Sequence, residues 1–199
     1  MIVRRLPTRE KTLFLTFDDG PHPTCTPAVL RCLEAHRARA TFFLVAERAE
    51  RQPSLTSEIL SAGHAVGNHS LDHRYRHFFT TRAKTLQWIS RGESLLAALT
   101  GAPTVGFRSP AGVRTPPLHW ALRQLGMPLI HWSVRFFDTR FAWTAKKALG
   151  SLGAAQSGDI VLLHDCHEGT SRTVFMETLS AYLSAATSAG FRFAAIPPR

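Results

Sequence analysis

What most constrains this chain is an alternation. Short β-rich runs recur at Leu13 to Phe17, Thr41 to Val45, His64 to Gly67, Val105 to Phe107, Leu129 to Val134, Ile160 to Leu163 and Phe191 to Ile196, with helix-like segments between them. Helix starts are marked by Thr26 and Thr115, each an N-cap type followed by proline at the first helical position. Gly63, Gly101, Gly126 and Gly190 stand where helices should end. After Thr26, Val29, Leu30 and Leu33 form one apolar stripe at helical spacing. No short hairpin signal such as Asn-Gly interrupts the series, so the strands are expected to run parallel in an α/β domain. An open doubly wound sheet and a closed barrel both satisfy the pattern. The absence of a Gly-x-Gly-x-x-Gly after the first run counts against a dinucleotide fold.

At 199 residues, with no repeat, low-complexity stretch or linker, residues 1–199 are read as one domain with its core at about 13–196. A hydrophobic content of 44% against 19% charged residues excludes a disordered chain. The apolar run at Leu13 is too short for a signal peptide, and no later run reaches membrane length. Cys25, Cys32 and Cys166 have the wrong number and parity for a disulfide framework, so three free thiols, a reducing compartment and a cytoplasmic location are expected. The net charge is +10, but the basic residues are scattered as singlets and pairs from Arg4 to Arg199, without the basic-aromatic pattern of a nucleic-acid binder. A solvated basic surface is the expectation.

The reactive side chains cluster by position. Asp18 and Asp19 follow the first run, His69 and His73 the third, Arg108 the fourth, Asp138 the fifth, and His164 with Asp165 the sixth. In parallel α/β folds the C-terminal strand ends share one face, where substrates bind, so these groups should meet in space. His69 and His73, four positions apart, could bind one metal on a turn; alone, such a pair could equally be histidines hydrogen-bonded to neighbours. Asp19 would complete a set of two histidines and one carboxylate with open positions, as catalytic metal sites have. Adjacent carboxylates repel unless cations separate them. A metal on one and the guanidinium of Arg108 on the other would do so.

Five segments in order then carry a resemblance: Thr16 to Gly20, His69 to His73, Arg108 to Gly112, Trp132 to Asp138, and Leu162 to Asp165. They resemble the five motifs of the polysaccharide deacetylase family, the NodB-type domain of carbohydrate esterase family 4, over nearly the whole chain. The resemblance implies a distorted (β/α) barrel of about seven parallel strands and removal of acetyl groups from N-acetylated sugars. It implies one divalent ion, zinc by the family's habit with cobalt, nickel or manganese as alternatives, held by Asp19, His69 and His73. It makes Asp18 the general base, steadied by Arg108, and His164 the general acid, oriented by Asp138. The Ala111 N–H would serve as an oxyanion donor, and Leu162 would wall the acetyl methyl group.

Three positions depart from the family pattern: Arg135 where many members carry an acid, Thr139 where many carry tryptophan, and Ala111 in place of tyrosine. The expected substrate is an N-acetylglucosamine-containing oligosaccharide or glycoconjugate. The alternatives are a non-carbohydrate amide or O-acetyl ester on the same fold, and a non-catalytic glycan- or nucleic-acid-binding module.

Overall fold

The computed structural model describes residues 1–165 and 171–199. Its elements run β1 (Ile2–Val3), β2 (Thr12–Asp18), α1 (Thr26–Ala35), β3 (Ala40–Leu44), α2 (Ala46–Arg51), α3 (Pro53–Ser61), β4 (Ala65–Asn68), α4 (Arg82–Thr100), α5 (Pro116–Gln124), β5 (Leu129–Ile130), β6 (Val134–Arg135), α6 (Ala145–Ser151), β7 (Ile160–His164), α7 (Arg172–Ser188) and β8 (Arg192–Phe193). The strands pair in the order β4-β3-β2-β7-β6, all parallel, with β8 against the start of β2 and β1 against β5. Single bridges from Asn68 to Phe107 and from Phe107 to Leu129 carry the ring from β4 round to β5. The result is the expected distorted barrel.

Three expected strands come out altered. The run at Val105 to Phe107 forms only isolated bridges: Gly106, at φ +150°, turns the backbone, so Val105 bonds to Val66 and Phe107 to Pro128 without a continuing ladder. The run at Leu129 to Val134 splits into β5 and β6 because the chain changes partners. His131 N–H bonds to Val3, whereas Ser133 N–H bonds to Ile160 on β7. Phe191 to Ile196 shrinks to two paired residues, and β1 was not expected. Thr115 caps α5 by accepting the Leu118 N–H, as read. Thr26 instead lies inside α1, where its hydroxyl accepts the His22 N–H and donates to Asp165. Gly63, Gly101, Gly126 and Gly190 all adopt positive φ at or just past helix ends.

Strand alternation divides the core. On β2, Leu13, Leu15 and Phe17 join the main cluster with helix residues such as Val29, Leu33 and Leu179. Phe14 joins Phe43, Ile130 and Ile160 in a second cluster inside the ring. The inward column on β2 therefore reads Phe14, Thr16, Asp18, and that on β7 reads Ile160, Leu162, His164. Each starts apolar and ends, at the strand's C-terminus, on a titratable group.

Cys25 is disulfide-bonded, against the expectation of three free thiols. Parity excludes a framework, but three cysteines still allow one bridge. Cys32 is free and half-buried, its thiol pushed up to about 11 by burial. Cys166 lies outside the described residues. No described helix is long and apolar enough to cross a membrane.

The packing makes one position testable. A Cβ at Gly67 on β4 would stand 2.3 Å from the ring of Phe43, a fully buried side chain beneath Arg108. Gly67→Ala should therefore destabilise the fold by about 1–3 kcal/mol in urea unfolding; an unchanged midpoint would show that Phe43 has room to move.

Candidate active site

The site is built around a buried arginine. Arg108 is fully buried, and its guanidinium lies 4.0 Å from the Phe43 ring centroid. Its Nη1 donates to Asp18 Oδ1 at 2.8 Å and to the Thr16 hydroxyl at 2.6 Å. Nε and Nη2 reach the carbonyls of Ile130 and His131, both at 3.3 Å. Burial pushes its pKa down, and Asp18 opposes that. A charge this deep persists only when paired and hydrogen-bonded, and its side-chain partners Thr16 and Asp18 are both inward positions of β2.

The same residue acts through its backbone. His69 Nδ1 lies 2.9 Å from the Arg108 carbonyl oxygen, which can only accept, so Nδ1 carries the proton and Nε2 presents a lone pair. That Nε2 faces Asp19 Oδ1 at 3.2 Å and Asp18 Oδ2 at 3.8 Å, and His73 Nε2 faces Asp19 Oδ1 at 3.0 Å. Asp19 Oδ1 is buried, yet it has no hydrogen-bond partner. The donor atoms of Asp19, His69 and His73 all lie within 4.8 Å of one another. Three such atoms converging on one point, one of them a buried carboxylate oxygen without a partner, call for a cation, and two imidazoles with one carboxylate suit a divalent transition ion.

Strained turns aim these groups. Asp19, Ser70 and His73 all adopt positive φ, uncommon for residues other than glycine. The Ser70 N–H is taken by Asn68 Oδ1 at 2.8 Å, and the Ser70 hydroxyl accepts the His73 N–H at 3.0 Å. Behind them Asp72 accepts Trp88 Nε1 at 2.8 Å and contacts His77 Nε2 at 3.2 Å. These interactions over-determine the turn and so can maintain its backbone strain.

On β7, His164 Nδ1 meets Asp138 Oδ1 at 3.0 Å, and the His164 N–H donates to Asp138 Oδ2 at 2.8 Å. Burial alone would lower the imidazole's pKa. The Asp138 hydrogen bond and charge, aided by Asp18 and Asp19, raise it to about 9. Next to it, Asp165 is buried against Thr26, and burial pushes its carboxyl up to about 6.

These groups open into a cleft of about 200 Å³ lined by Asp18, Asp19, His69, His73, Tyr75, Ala111, Trp132, Arg135, Thr139, Leu162 and His164. All nine residues singled out in the sequence come together: seven line the cleft, while Arg108 and Asp138 support it from below. Ala111 sits at φ 50° in the turn after Arg108. Two wall residues were missed. Tyr75 follows the His69 to His73 motif and packs edge-on to His73 at 5.5 Å. Trp132 stacks on His131 at 3.9 Å, and its place at the start of the Trp132 to Asp138 segment was the one available signal.

The chain is similar to known proteins. The polysaccharide deacetylase family model matches residues 5–130. A peptidoglycan-N-acetylglucosamine deacetylase of Bacillus cereus is 33% identical over 193 residues, covering 96% of this chain and 89% of its own. A chitooligosaccharide deacetylase of Bradyrhizobium is 31% identical over 196 residues, covering 94% and 90%. Among solved structures, a peptidoglycan N-acetylglucosamine deacetylase superposes with a TM-score of 0.84 at 28% identity, over 98% of this chain and 91% of that one.

Two measurements check the site. Metal-free protein should bind one zinc ion per chain in calorimetry. His69→Ala or Asp19→Ala should weaken that binding by more than roughly a hundredfold, the upper end of what losing a merely orienting partner costs; undiminished binding would place the ion elsewhere. In metal-free protein, NMR should show His164 titrating near 9 and Asp138→Asn bringing it down. Because the folded pKa is raised, the pair's stabilisation is complete below pH 6.5 and is lost as pH rises through about 9. Unfolding at pH 7 and pH 10 should show that loss in the wild type and much less of it in Asp138→Asn.

Proposed function

The chain belongs to the polysaccharide deacetylase family, and on that premise we propose that it hydrolyses the acetamide of an N-acetylglucosamine-containing oligosaccharide or glycoconjugate. The observation carrying this reading is the pairing of a cation-demanding triad with a carboxylate base on one side and a carboxylate-backed imidazole on the other.

Asp19, His69 and His73 would hold the divalent ion, zinc in the first instance. When bound there, such an ion supplies Lewis acidity toward the acetamide carbonyl and lowers the pKa of water. Asp18 keeps Oδ1 on Arg108, which leaves Oδ2 on the cleft side to take a proton from the attacking water. As the water oxygen bonds to the carbonyl carbon, negative charge gathers on the carbonyl oxygen. The Ala111 N–H, in its turn at the cleft edge, is the backbone donor for it. His164 keeps Nδ1 on Asp138 and offers the Nε2 proton to the sugar nitrogen as the carbon–nitrogen bond breaks, giving acetate and a free amine. An imidazole raised to about 9 carries that proton at neutral pH. Leu162, inward on β7 between Ile160 and His164, borders the methyl group.

Acetate release from N-acetylglucosamine oligomers by zinc-loaded protein tests the reading. Asp18→Asn should lower kcat by roughly a hundredfold to ten-thousandfold, the range for loss of a positioned base, while zinc is still bound. Equal acetate release by the variant would remove Asp18 from its role, and none from the wild type would remove the substrate class.

A further inference from the structure

Among the described residues, the cleft holds one charged group that the deacetylation steps leave unused. Arg135 is the inward residue of β6, paired in register with Leu162 of β7, so it stands one strand away from the wall beside His164. Its guanidinium lies 4.3 Å from the Phe137 ring centroid and 5.3 Å from that of Trp132. Its Nε is buried without a hydrogen-bond partner.

We propose that Arg135 is a specificity residue that receives a carboxylate borne by the glycan close to the acetamide being cleaved, which makes the preferred substrate an acidic N-acetylated glycan. The proposal rests on the deacetylase reading of the cleft and names the substrate class within it.

A guanidinium stacked on aromatic faces keeps its in-plane N–H edge free, and that edge matches a carboxylate with two parallel hydrogen bonds. Stacking also holds the group in place before substrate arrives, which lowers the ordering cost of binding. The other charges of the site are already engaged. Asp18 is held by Arg108, Asp138 by His164, and Asp19 lies between His69 and His73. None of these carboxylates is ion-paired with Arg135. A single uncompensated guanidinium suits a monoanion.

The surroundings have the same sign. Between Asp138 and Asp159 the chain has no acid but carries Arg140, Lys146 and Lys147, and the guanidinium of Arg140 and the ammonium of Lys147 lie over the exposed Phe141 ring. Arg140 and Lys147 thus add positive charge around Phe141 that would favour a carboxylated chain.

The test uses a tetrasaccharide alternating N-acetylglucosamine and N-acetylmuramic acid, alongside its methyl ester. The ester keeps the shape and removes the charge. With zinc-loaded wild type, kcat/KM for acetate release should favour the acid by roughly tenfold, as a charge-assisted pair in a partly open cleft gives. The ratio should fall to about one in Arg135→Gln, through KM rather than kcat, and survive in part in Arg135→Lys. A ratio is insensitive to the folded fraction of a variant. A wild-type ratio of one, or a preference undiminished in Arg135→Gln, overturns the proposal. If no protein releases acetate, the deacetylase reading fails separately. Calorimetric binding of acid and ester to metal-free protein then decides for Arg135: tighter acid binding lost in Arg135→Gln supports it, and equal binding overturns it.

Discussion

The structure depends on one buried cation. Arg108 places a guanidinium in the interior of a small parallel ring and satisfies it with Asp18, Thr16 and the carbonyls of Ile130, at the end of β5, and His131 just after it. Its backbone carbonyl simultaneously fixes the tautomer of His69. The Asp18 carboxylate and the His69 imidazole are therefore set by the two ends of one residue. Any shift of the turn after Phe107 would move Asp18 and His69 together. Removing Asp18's charge would leave Arg108 uncompensated in the interior, a situation that typically costs several kcal/mol. The site and the core are consequently not separable layers of the protein.

Much of this was legible because strand alternation and parallel topology are strict. Once Leu13 to Phe17 and Ile160 to Leu163 are parallel strands with C-terminal ends on one face, Asp18 and His164 must emerge side by side. The register Asp18 with His164 between β2 and β7 states the same fact in structure. Eight of the nine named residues end a β run or lie in the turn that follows one, and Leu162 alone lies within its strand. Spacing alone left the histidine pair ambiguous; the structure sets Asp19 between the two imidazoles and the Arg108 carbonyl against His69, and neither contact has a local signature.

What was not legible depends on non-local partners. The run at Leu129 to Val134 reads as one strand by composition, yet its two halves bond to different neighbours, β1 and β7, and no window of sequence reports a change of partner. β1 itself is two residues long and exists only because β5 offers an edge. The positive φ angles at Asp19, Ser70 and His73 are maintained by Asn68, Asp72, Trp88 and Arg48, from four different elements or turns. Tyr75 and Trp132 reach the cleft through those same turns. The disulfide at Cys25 belongs to this class too, since three cysteines by count leave a single bridge open.

Arg108 and Arg135 show how one residue type divides into two tasks by compensation. Arg108 is buried, and each of its nitrogens has an acceptor, so its charge is consumed in holding Asp18. Arg135 is half-buried, lies over two rings and leaves Nε without an acceptor, so its hydrogen-bonding capacity is still available. The formal excess of +10 says nothing about which cation does what. The distinction lies in acceptors: a guanidinium with all of its acceptors built in is structure, and one aligned by stacking but left short of acceptors is a receptor for an anion that the chain itself does not supply.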